Sequence, residues 1–162
     1  MQKIMVLDGG SYGRYRVMRV EGMEELGRFS AWRDAVLCAL DQVSGQARAQ
    51  VELWEKQYPA LNGRAIRAGH LFVLGDFANA GGVGSWLVRH EFESGCYYKV
   101  TGIDSGSLLC SCDDYAHSLF LPAGKSRPSL DGLVVCKHIL ALMLWLDYGS
   151  DTEENPHVMV DH

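Results

Sequence analysis

The stretch CSCDDYAHSLFLPAGKSRPSLDGLVVCKHILA, residues 110–141, decides how the C-terminal part of this chain folds. It opens on Cys110-Ser111-Cys112 and closes on Cys136-Lys137-His138, with 23 residues between the pairs and Ala141 three positions after the histidine. Three sulfurs and one imidazole make a complete tetrahedral ligand set for a structural zinc ion. Each pair lies within three residues and clamps one edge of a tetrahedron, so folding has only to bring two short segments together. Four protein ligands leave no position for a metal-bound water, which points to a structural metal rather than a hydrolytic one.

Competing readings remain at this point. Three buried cysteines without a metal are one, and a redox disulfide joining Cys110 to Cys112 or Cys136 is another, disfavoured in a reducing compartment. Iron–sulfur ligation is disfavoured by the histidine and by the lack of C-x2-C runs. His117 is a substitute ligand for His138 but falls outside the C-x-H spacing. Cys38 and Cys96 read as small buried apolar residues.

Cys110-Ser111-Cys112 followed by Cys136-Lys137-His138-Ile139-Leu140-Ala141 resembles the SWIM zinc finger, whose signature is C-x-C, a variable spacer, and C-x-H-x-x-A. Tyr98-Lys99-Val100 looks like that family's Y-x-V strand, and Trp86-Leu87-Val88 like the strand before it. The resemblance covers residues 85–147 and leaves residues 1–60 unassigned. It implies one zinc ion held by Cys110, Cys112, Cys136 and His138. It also implies nucleic-acid binding, DNA ahead of RNA, or an accessory role in DNA processing. The family includes recombination-associated proteins that act by pairing with other proteins, so a protein-interaction adaptor is the alternative.

Outward from the finger, local signals order the rest. Lys3 to Val6 and Arg14 to Val20 read as two short strands around Asp8-Gly9-Gly10-Ser11. Ser30 is placed to cap a helix whose apolar stripe runs Trp32, Ala35, Val36, Ala39, Leu40, Val43. Gly45 breaks or bends it, and the stripe resumes in register at Ala47, Val51, Trp54 and Tyr58 before Pro59 ends it. Asn62 is placed to cap a helix from Arg64 to about Leu74. Residues 79–84 form a glycine-rich loop. Strands follow at Trp86–Phe92, Cys96–Ile103 and Ser107–Cys112, a three-stranded support. The spacer reads as loop, with Asp113-Asp114 a solvated turn. The last helix starts near Cys136 and stops before Gly149. The entry turn should hold Cys136 and the first helical turn His138, with Lys137 and Lys99 offsetting the charge of the thiolates.

The expected fold is therefore α+β. Residues 1–78 form a helical lobe with a short β-hairpin, residues 79–149 a small ββα-like finger, and residues 150–162 an acidic, frayed tail. The chain has 162 residues, 48% hydrophobic and 22% charged, enough to bury a core without depending on metal for all its stability. The longest apolar run, Ile139 to Leu146, is far short of the roughly 20 residues a membrane span needs. No secretory signal is evident at the first residues, so a cytoplasmic location is expected. Net charge is −5, and the finger itself is not basic. This disfavours indiscriminate grip on phosphates.

Two binding readings follow. For nucleic acid the candidates are Tyr12, Tyr15, Arg14, Arg16 and Arg19, then Lys125 and Arg127 in the spacer. For a protein partner or homodimer the candidate is the helix at 136–148, apolar all round and therefore in need of a cover. Catalysis is not expected. Gly124-Lys125-Ser126 lacks the first glycine of a P-loop, which would fall at Leu119, and His90-Glu91 lacks a second histidine at Ser94.

Overall fold

The computed structural model describes residues 3–10, 13–61, 63–82, 84–103, 105–122 and 127–149. The fold is α+β. Strands β1 (Ile4–Asp8), β2 (Tyr15–Arg19) and β3 (Glu24–Phe29) form an antiparallel sheet in that order. β1 and β2 pair from Ile4↔Arg19 to Asp8↔Tyr15, the expected hairpin. β3 is an addition to it. Its sequence lacks clean alternation, and its register against β2 shifts between Val17 and Met18, where a bulge interrupts the period of two.

The stripe from Trp32 to Tyr58 resolves into two helices, α1 (Trp32–Val43) and α2 (Gly45–Gln57). Ser44 is the joint. Its backbone is extended, with φ −159° and ψ 111°, and its Oγ accepts the Ala47 N–H at 3.1 Å. A serine that satisfies a free N–H of the next helix has no reason to continue the previous one. Ser30 does not cap α1: Ala31 occupies the cap position and no side chain bonds there. Helix α3 (Arg64–Leu74) matches the expected span, while Asn62 lies outside the described residues. Gly75 ends α3 at φ 73°, its N–H bonded to the carbonyls of Leu71 and Phe72.

A second antiparallel sheet runs β4 (Phe77–Asn79), β5 (Trp86–Arg89), β6 (Tyr97–Thr101), β7 (Leu109–Cys110). It has four strands rather than three, because β4 pairs with β5 from Phe77↔Val88 to Asn79↔Trp86. β5 stops at Arg89 instead of Phe92, since the His90 ring turns the chain by accepting the N–H groups of Phe92 and Glu93 on Nδ1. The spacer is more than loop. It holds helix α4 (Asp113–Leu119) and a hairpin of β8 (Ser129–Leu130) and β9 (Leu133–Val134). The hairpin turns on Asp131-Gly132, both at positive φ, the geometry that Asp-Gly favours.

Helix α5 (Lys137–Tyr148) lies along α3 and across β5, β6 and β7. Trp145 stacks on Phe77 at 4.8 Å and meets Phe72 edge-on at 6.3 Å. α1 packs on the other side of α3. At Gly69 of α3 a Cβ would come within 2.6 Å of Leu40 Cδ1, so the glycine sets how closely α1 and α3 approach. One core runs through both sheets, from Ile4 to Trp145.

This packing corrects the expectation that the 136–148 helix offers itself to a partner or a second copy. Leu140, Leu142 and Leu144 are fully buried within the chain, and of the helix's large apolar side chains Leu146 alone is exposed. The apolar circumference is covered from within.

Ser44→Ala should destabilise the chain by about 1 kcal/mol, and Ser44→Gly by only a few tenths, because glycine retains the extended cap conformation. Urea titration followed by circular dichroism measures both. Equal losses would remove the capping role.

Candidate metal centre

The two ends of the long spacer converge. Cys110 ends β7, Cys112 stands two residues on, Cys136 precedes α5 and His138 lies on its first turn. All four residues are buried, and their candidate ligand atoms lie within 4.8 Å of one another. Such a group can hold one metal ion. Among the described residues this is the only such group of three or more histidine, cysteine or acidic side chains.

Local structure explains why the segments present these atoms. The C-x-C turn is tied to β6 by reciprocal bonds, Ser111 N–H to the Lys99 carbonyl at 3.0 Å and Lys99 N–H to Ser111 Oγ at 2.9 Å. Cys112 is the N-cap of α4, and its Sγ accepts the Tyr115 N–H at 3.3 Å. Cys136 is extended, φ −118° and ψ 176°, and its carbonyl accepts the first bond of α5 from Leu140 at 3.1 Å. His138 is held by the Tyr98 ring, centroid to centroid 4.5 Å.

The donor set fits a cation. His138 Nδ1 is 3.8 Å from Cys136 Sγ, and its Nε2 is buried with no hydrogen-bond partner. A buried orphan ring nitrogen is costly unless something coordinates the imidazole. The thiols also cannot ionise together. S–H groups of Cys110 and Cys136 stabilise a thiolate on Cys112 and drive its pKa down. Against that thiolate, Cys110 is pushed up to about 12 and Cys136 is pushed up as well. A dication removes the conflict by making all three thiolates favourable.

The surrounding charges differ from the expected ones. Lys137 is turned away to Glu91, its Nζ 2.8 Å from Oε2. Lys99 contributes its backbone to the C-x-C turn, and its side chain is exposed. The cation felt by Cys136 and Cys112 is Arg64, whose guanidinium pairs with Asp114 in a bidentate contact of 2.7 and 2.9 Å. Asp113 and Asp114 are thus the first turn of α4 rather than a free turn. His117 sits exposed on α4, away from the cluster. Cys38 is half-buried, and Cys96 is exposed, contrary to its reading as a core residue.

The candidate nucleic-acid residues are not gathered at this centre. Arg14 makes a bidentate pair with Asp8, Arg16 pairs with Glu25 and Arg19 with Glu24. Arg127 is exposed and donates to the Leu121 carbonyl at 3.3 Å. Tyr12 and Lys125 lie outside the described residues.

Sequence reasoning missed a second polar group. Glu91 has no exposed side-chain surface, yet its carboxylate bonds both Lys137 Nζ and, at 3.0 Å, His70 Nδ1. Burial pushes the Glu91 pKa up, but the hydrogen bonds from His70 and Lys137 outweigh it and hold it below the ordinary value. No linear spacing joins residues 70, 91 and 137. Only the position of a glutamate at the end of an apolar strand hinted at it. Compared with known proteins, the chain matches no family model, no curated protein and no solved structure.

Purified chain should carry one metal ion, and Cys112→Ser should lose it. Metal should also leave as pH falls, because protons compete for the sulfurs. Elemental analysis across a pH series checks this, and wild-type protein free of metal would refute it. Glu91→Gln should cost about 2–3 kcal/mol, below the ~3–5 kcal/mol of a fully buried pair, because Lys137 keeps some access to water. A depressed carboxyl pKa stabilises the fold above the unfolded value of 4.5 and ceases to do so as pH falls through the folded value. The gap between wild type and Glu91→Gln in urea should therefore close in acid.

Proposed function

We propose that this chain is a SWIM-type zinc module in which the metal fixes a recognition surface and no reaction is catalysed. The observation that carries the reading is the convergence of Cys110, Cys112, Cys136 and His138 within 4.8 Å. Three thiolates and an imidazole suit tetrahedral zinc better than the harder divalent cations. With all four positions supplied by the protein, the ion would act as a cross-link and not as a Lewis acid. Thiols kept free for a metal fit a reducing compartment, which supports a cytoplasmic location.

A protein is the partner class that the surface favours. Leu109, Leu119, Phe120 and Leu133 are exposed on or at the ends of β7, α4 and β9, with α4 in contact with both strands, and Phe120 is 84% exposed. Apolar side chains held outward together on a small rigid module mark an interaction surface. This keeps the adaptor reading but moves it from the enclosed helix to the exposed side chains of β7, α4 and β9.

Nucleic acid is the second reading. Its support is Arg14, Arg16 and Arg19 on one hairpin, in exposed ion pairs weak enough to be exchanged for phosphates. Its cost is that each arginine already has a carboxylate.

The two readings separate by salt and by mutation. On the first, Phe120→Asp abolishes capture of the native partner with metal content unchanged, and capture survives raised salt. On the second, oligonucleotide affinity falls by orders of magnitude between about 50 and 200 mM salt and is lost in the Arg14, Arg16, Arg19 triple alanine variant. Steep salt dependence together with indifference to Phe120→Asp would displace the protein reading.

A further inference from the structure

Away from the metal, a cavity of about 490 Å³ lies among the first hairpin, α1, α3 and the loop after β5. Its flat walls are Trp32, Tyr15 and Phe92; His70, Glu91 and Arg67 supply polar groups. Phe92 is 69% exposed at this cavity, a large ring left in water. Trp32 meets the His70 ring edge-on at 5.3 Å, so both rings are held in place.

The charges around the cavity do not cancel. Asp8 also lines it, but its carboxylate is taken by Arg14, both contacts at 2.9 Å. Glu91 is neutralised by Lys137 at 2.8 Å. The Arg67 guanidinium has no ion pair or hydrogen bond among the described residues. One positive charge is left over, on the side chain best shaped for a carboxylate or phosphate.

His70 adds a defined polarity. The Glu91 carboxylate only accepts hydrogen bonds, so His70 Nδ1 carries the proton that it donates at 3.0 Å. In the neutral ring the lone pair is then on Nε2. No described group donates to Nε2, and it is not among the buried orphan atoms, so it is open to the cavity that His70 lines. The cavity thus presents an oriented acceptor, an unpaired cation and aromatic walls. Few convergent polar groups in a largely apolar recess are the usual make-up of a small-molecule site.

We propose that this cavity binds a flat aromatic ligand carrying one ring-borne hydrogen-bond donor and one anionic group, with the anion on Arg67 and the donor on His70 Nε2. The chemistry is common to hydroxylated aromatic carboxylates and to nucleotides, whose base amine and phosphate supply the same two groups. The site is separate from the metal centre and does not depend on what the metal-bearing surface recognises.

Calorimetric titration of the full chain with 4-hydroxybenzoate and with adenosine monophosphate tests this. Saturable binding of either probe is expected, and which one binds identifies the source. Arg67→Ala should weaken it at least about tenfold, the loss of one charge-assisted contact. Arg67 is exposed on α3, so the variant should melt like wild type, which circular dichroism checks. Benzoate and adenosine, which lack the donor and the anion respectively, should each bind at least about tenfold more weakly than their parent probe. The proposal is overturned if neither probe saturates at millimolar concentration. It is equally overturned if binding is indifferent to Arg67→Ala or to removal of the donor.

Discussion

The packing of α5 against α3 is the constraint on which the rest depends. α5 is apolar around nearly its whole circumference, and a helix of that kind must be enclosed. α3 covers one side and the β4–β7 sheet another, while α3 is itself backed by α1 and α2. Through α3, helices α1 and α2 are tied to the element that keeps Leu140, Leu142 and Leu144 dry. The candidate metal ligands inherit their positions from this arrangement. Cys136 and His138 are fixed where α5 begins, and Cys110 arrives on a strand that α5 covers. The polar contacts between Glu91, His70 and Lys137 lie at the same junction and lock its register.

Residue spacing made much of this legible. The four candidate ligands, the span of α3, the end of α5 and the first hairpin all rest on signals that act within a few residues. What failed was of two kinds. Some signals were local but displaced: the break in the stripe is expected at Gly45 and falls at Ser44, whose hydroxyl caps α2. Asp131-Gly132 is a hairpin turn, but it is flanked by strands too short to announce themselves. Others have no local expression. β3 and β4 are strands because a neighbour pairs with them, not because their sequences alternate. The Glu91 contacts join three elements far apart in the chain. The surplus charge of Arg67 is visible only once every other cation near it has been matched to its carboxylate.

The metal centre and the cavity divide the molecule's chemistry. Around the cysteines Ser111, Tyr115 and Asp114 each bind a neighbour, and the candidate ligands themselves would fill an ion's coordination sphere. The cavity is the reverse case, with polar groups oriented by the protein but left open. On the proposed readings, the closed cluster serves architecture and the open cavity serves binding.

Cys112 occupies two posts at once, as a candidate metal ligand and as the cap of α4. A seven-residue helix is too short to persist on its own propensity. The β8–β9 hairpin beside it contributes just two residues per strand. Both elements border the candidate ligands, with Tyr115 and Leu130 reaching into the core, so with a metal bound there their local opening free energy should depend on its occupancy. On that reading, metal loss should leave α1, α2, α3 and α5 packed together while amide protons exchange faster in α4 and the β8–β9 hairpin. In a cell, that partial opening would mark the metal-free form for proteases well before the fold as a whole gave way.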